Sequence, residues 1–142
     1  MAEYYVVTDL GTLPGGTSST AEGINEGGQV VGSSQAVGGK DHAFLWTPAT
    51  QLQDLGMLPG GNSSGASGIS VCDTVTGQSD LAGSGTNINA FVWNSAGGMQ
   101  DLGTLAGDHG SAAVATNACG QLVGNSSLSA RGSLEAPGVC LE

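Results

Sequence analysis

Three copies of one pattern run through the 142 residues of this chain, and that repetition limits its fold more than any other feature. Asp9-Leu10-Gly11, Asp54-Leu55-Gly56 and Asp101-Leu102-Gly103 open the copies. Another glycine follows each Asp at the same distance, at Gly32, Gly77 and Gly124, behind the short pairs Val30-Val31, Val75-Thr76 and Leu122-Val123. A period in the mid-forties belongs to repeat architectures, in which each small unit buries its faces only against the next. The chain reads as a single repeat domain, 1–142, with units 4–51, 52–98 and 99–142, the third degenerate.

Within copy one, residues 4–8 (Tyr-Tyr-Val-Val-Thr) are aromatic and β-branched and predict a strand. Pro14-Gly15-Gly16 predicts a turn, residues 19–24 a weaker strand, and 25–28 (Asn-Glu-Gly-Gly) a hairpin turn. Residues 29–33 and 42–46 are the next strands, separated by a loop. Copy two repeats the order, with strands over 52–55, 66–70, 75–79 and 89–93. Copy three follows it from Met99 through Gly124. Residues 126–133 read as unstructured, and 136–140 (Ala-Pro-Gly-Val-Cys) take the position of Asn89 to Trp93. Pro and Gly suit an interior strand poorly, so this last strand is expected to be weak, absent or at an edge. Apolar residues do not recur at helical spacing, and the glycines at fixed offsets suit turns that need positive φ; the fold class is all-β.

Along 42–46, His42, Phe44 and Trp46 point one way and Ala43 and Leu45 the other. Both faces are apolar, as they are along 89–93, which places each strand in a sheet between two other layers. Three tandem antiparallel units of about 45 residues, packed like β-propeller blades, fit this pattern; a β-trefoil is the alternative. Propellers close with about four to eight blades. Three units therefore point to a homo-oligomer, with a dimer forming a six-bladed ring favoured. Residues 4–8 could also complete the degenerate third unit of another copy or of their own.

The strings Asp-Leu-Gly-Thr-Leu-Pro-Gly-Gly (9–16), Gly-Ile-Asn (23–25), Gly-Gln-Val-Val-Gly (28–32) and His-Ala-Phe-Leu-Trp (42–46) together resemble the HAF repeat of bacteria. Copy two departs from it at Asp73-Thr74 and at Asn89, and copy three lacks the naming segment. The resemblance implies tandem β units and an extracellular setting. It implies no activity and supplies no catalytic residues.

Charge excludes some functions. Two Lys and Arg stand against twelve acidic residues, a net charge of -10, which repels nucleic acid and gives anionic membranes nothing basic to attract. No stretch is apolar and long enough to span a bilayer as a helix. Residues 1–5 show neither the charged nor the apolar region of a signal peptide, so the compartment stays undetermined. The three cysteines, Cys72, Cys119 and Cys140, are an odd number. Cys72 and Cys119 share one offset with Gly27, one repeat apart, too far for a disulfide.

The candidate binding residues are His42, Asn89, Asp108 and His109. An imidazole can serve as base or ligand. Asn89 in the equivalent position is no base, so a shared structural hydrogen bond explains His42 and Asn89 better. Asp108-His109 sits in a turn without metal-ligand spacing. Asp9, Asp54 and Asp101 suit turns in which a carboxylate accepts backbone N–H bonds, and Trp46 and Trp93 suit packing between layers. No catalytic residue, metal or cofactor is expected. These readings converge on a non-catalytic interaction module for a protein or glycan ligand, with a lectin-like trefoil as the alternative.

Overall fold

The computed structural model describes residues 2–82 and 87–127, and the backbone of 139–141. The first sheet has the order β1 (Ser19–Ile24), β2 (Val30–Gln35), β3 (Asp41–Thr47) and β4 (Gln51–Gly56). The second has β5 (Ser64–Ile69), β6 (Val75–Asp80), β7 (Ile88–Asn94) and β8 (Gly98–Gly103). The third holds β9 (Gly110–Thr116), β10 (Leu122–Ser127) and β11 (Val139–Leu141), with β10 in the middle. All pairings are antiparallel, and the described residues contain no helix. The sheets are open. The closed barrel at the centre of a trefoil does not form among the described residues.

Local sequence explains the registers. The pairing slips between Ala21 and Gly23 against β2, and between Ala66 and Gly68 against β6. A matching slip lies at Val123/Gly124 in the third sheet. Each slip pushes a carbonyl of the inner strand toward the repeated glycine. A β-carbon on Gly32 would collide with Thr20 O, on Gly77 with Gly65 O, and on Gly124 with Ala112 O. None of the three has positive φ. The expectation that repeated glycines serve turns is therefore corrected here: these three are fixed by close backbone approach at a β-bulge. Positive φ is instead required at the hairpin position held by Gly28 (φ 75) and Gly120 (φ 80), which the second hairpin fills with Asp73 (φ 61).

The inner strands β1, β5 and β9 lie side by side. A β-carbon on Gly23 would sit 3.1 Å from Ser67 O, and one on Gly68 would sit 3.2 Å from Ala115 Cα. Small residues at these positions let the sheets approach. Val31, Ala43, Leu45 and Leu55 of the first sheet then form one core with Ala66, Ile69, Val75, Phe91 and Trp93 of the second, joined by Leu58. Phe44 stands opposite Gly32 and Phe91 opposite Gly77, and both are buried. Among the described side chains of the third sheet, Ala113 and Leu122 are the buried apolar ones.

Sequence copies and sheets are offset by one strand. The strands carrying Asp54 and Asp101 pair with β3 and β7, so each closes the sheet before it. Residues 6–11 hold the corresponding place at the head of copy one and join none of the three sheets. The strand expected over 4–8 accordingly does not form: Tyr5 is 87% and Val7 94% exposed, because an isolated strand leaves its backbone groups and apolar side chains in water.

The third sheet differs from expectation by one residue. Val139 pairs with Gly124 and Leu141 with Leu122, as Phe91 pairs with Gly77 and Trp93 with Val75. Val139 thus takes the place of Phe91, which the sequence alignment gave to Gly138. The short strand β11 lies at the sheet edge, as expected for a segment following Pro137. Ser126 and Ser127, read as unstructured, belong to β10, while 128–133, Ala136, Pro137 and Gly138 lie outside the described residues.

Candidate functional site

The repeated Asp-Leu-Gly motif performs one local task three times. Asp9 Oδ1 accepts from Gly11 N (2.9 Å), Asp54 Oδ1 from Gly56 N (2.8 Å) and Asp101 Oδ1 from Gly103 N (2.7 Å). The same glycines have φ of 79, 78 and 70. Their carbonyls then accept from the hydroxyls of Ser19, Ser64 and Ser111. Downstream, the amides of Leu13, Leu58 and Leu105 donate to Ser34, Ser79 and Ser126. The carboxylates are committed to turns, and the serine hydroxyls tie each turn to the sheet that follows it.

His42 and Asn89 serve those carboxylates. His42 Nδ1 lies 2.8 Å from Asp54 Oδ2, and Asn89 Nδ2 donates to both oxygens of Asp101, at 2.9 and 3.1 Å. A cross-strand bond that Asn can make requires no base. His42 pairs with Ser34 and Asn89 with Ser79, at the ends of β2 and β6 remote from the hairpins. His109 N donates to Ser127 O and Asp108 N to Leu105 O, at the corresponding end of the third sheet. His42 and Asn89 thus bond within their own sheets, while Asp108 and His109 lie just before β9, where His109 joins Ser127 and Asp108 closes a turn on Leu105. Among the described residues no group of three His, Cys, Asp or Glu side chains is arranged to hold a metal.

The hairpin tips lie at the opposite end. The hairpins β1–β2, β5–β6 and β9–β10 meet there around an open bowl of ≈ 380 Å³. The first hairpin contributes Ile24, Asn25 and Glu26, the second Ser70 and Val71, the third Thr116 and Ala118. Asn25 Oδ1 accepts from Gln29 N at 3.0 Å, and Asn117 Oδ1 from Gln121 N at 3.0 Å. Ser70 Oγ plays the same part by accepting from Thr74 N at 3.1 Å. Asn25 Nδ2 also crosses to Ser70 O at 2.9 Å, fixing the first tip to the second. Ile24 and Val71 expose apolar surface beside the Glu26 carboxylate and these amides. Such a surface can take a small ligand with an apolar body and hydrogen-bond donors. The free thiols Cys72 and Cys119 are exposed at the second and third tips. The sequence marks the first of these hairpins at 25–28, and the signal for the other two is their equal offset in each copy.

A second hollow, of ≈ 70 Å³, lies between the second and third sheets. Ala90, Leu102, Leu105, Ala113 and Leu122 line it. Their counterparts between the first two sheets, Ala43, Leu55, Leu58, Ala66 and Val75, surround Phe91 in a filled core. Trp93 belongs to that core, whereas Trp46 is half-buried with Nε1 unpartnered.

Compared with protein-family models, curated proteins and solved structures, the chain matches none of them.

Proposed function

We propose that this protein is a non-catalytic β-repeat interaction module, whose three tandem units stack as propeller-like blades and which binds its ligand at the hairpin end. The convergence of three hairpins on one bowl carries the reading. The resemblance to the HAF repeat supports the tandem units, and the commitment of Asp54 and Asp101 to turns leaves His42 and Asn89 with structural partners. Selection from a random peptide display library against the whole chain tests it. Binders whose capture is lost with Val71→Glu and retained with His42→Ala are expected. Binders lost with His42→Ala alone would move the site to the other end, and capture confined to a glycan array would favour the lectin-like alternative.

The module assembles with itself, most simply as a dimer that joins two arcs of three sheets into a six-bladed ring. Sedimentation at micromolar concentration should give twice the 13.8 kDa chain mass. A strict monomer would contradict the ring.

A further inference from the structure

Resting on that dimeric reading, we infer that residues 6–11 of one copy add to the third sheet of a second copy as its missing fourth strand, outside β11.

Three observations converge on this exchange. First, residues 6–11 form no strand but end on the turn that closes a paired strand elsewhere in the chain. Asp9 and Gly11 make the bond that Asp54–Gly56 and Asp101–Gly103 make, with matching φ at the glycine, although the latter pairs end the paired strands β4 and β8. Second, the hydroxyls of Ser64 and Ser111 accept from Ala43 N and Ala90 N of the preceding sheet, at 2.8 Å each. Ser19 is placed like them, donating to Gly11 O, on a face that no sheet covers among the described residues.

Third, the two outer faces repeat the inner interfaces uncovered. Ile69 is 9% exposed beneath the first sheet, and its counterpart Ile24 is 69%. Ala66 is buried and its counterpart Ala21 is exposed. At the other end of the arc Val123 is 47% exposed, whereas Val31 and Thr76 in its register are both 0%. Stacking the first sheet of one copy on the third sheet of another covers both sets by the contacts already made inside the chain. A second copy is favoured over closure within one chain because residues 4–7 lie open in water here and three sheets are too few for a ring. Strand addition supplies main-chain bonds, and the alternating side chains supply selectivity.

Register gives a direct test. Val92 pairs with Gln100 and Leu45 with Gln53. Cys140 pairs with Val123 as Val92 pairs with Thr76, which puts Thr8 of one copy opposite Cys140 of the other. The chain carrying Thr8→Cys, Cys72→Ser and Cys119→Ser is oxidised as a mixture of isotopically light and heavy protein, then digested and analysed by mass spectrometry. The expected product is a disulfide joining residues 8 and 140 in mixed light–heavy pairs. Removal of residues 2–8 from the otherwise unchanged chain is expected to weaken the dimer at least 100-fold by sedimentation. Light–light and heavy–heavy links alone would mean closure within one chain and overturn the exchange. A dimer that survives the truncation with no 8–140 link would overturn it while leaving the dimeric module intact. A monomeric unchanged chain would remove both.

Discussion

Thr76 shows how closely single residues answer to their place in the sheets. It is fully buried, and its hydroxyl lacks a partner; Val31 and Val123 hold the same register position. A buried hydroxyl without a bond lowers stability. Thr76→Val is expected to raise the unfolding free energy by about 1 kcal/mol in urea denaturation. Gly77 is the opposite case. Any β-carbon there meets Gly65 O, so Gly77→Ala should lower stability by about 2–3 kcal/mol, measured the same way. His42 separates structural from catalytic roles. His42→Ala removes the bond to Asp54 and should cost about 1 kcal/mol, whereas His42→Asn should stay within about 0.5 kcal/mol of the parent because Asn89 already fills that role. Much of this scale was legible: the Asp-Leu-Gly repeats and the His-to-Asn replacement pointed to carboxylates held in turns and cross-strand bonds. The reason for Gly32, Gly77 and Gly124 was hidden, because a bulge depends on the register of a neighbouring strand that one segment's sequence does not contain.

At the scale of elements, alternation and turn chemistry located the paired strands well, from β1 with its hairpin to β7 with its double apolar face. Residues 4–8 have strand chemistry as strong as any, yet form none, since pairing is a property of two segments. The end of the chain was misplaced by one residue for a related reason: Pro137 and Gly138 obscure the alternation, and only the pairing with β10 sets the register. That register carries a prediction. Position 139 corresponds to Phe91, and the counterparts of the residues around Phe91 enclose the ≈ 70 Å³ hollow. Val139→Phe should stabilise the protein by about 1–2 kcal/mol, the scale set by filling a cavity of that size, and should raise the thermal midpoint. A lowered midpoint would show that the third sheet does not share the packing of the second.

For the whole molecule, the all-β class was legible but not the offset between copy and sheet, nor the meeting of three hairpins at one end. The offset follows from the pairing of β4 with β3 and of β8 with β7, and the meeting of the hairpins from packing of β1, β5 and β9, which are far apart in sequence. The bowl, the uncovered faces and the place of the segment 6–11 all depend on that side-by-side arrangement. Nuclear Overhauser effects between α-protons of these strands measure it directly. Gly23 should show them to Gly68, and Gly68 to Ala115, because a β-carbon on Gly68 would lie 3.2 Å from Ala115 Cα. Spectra that link β1 to β2 and β5 to β6, yet give no cross-peak from Gly68 to either Gly23 or Ala115, would contradict the serial packing of the three sheets.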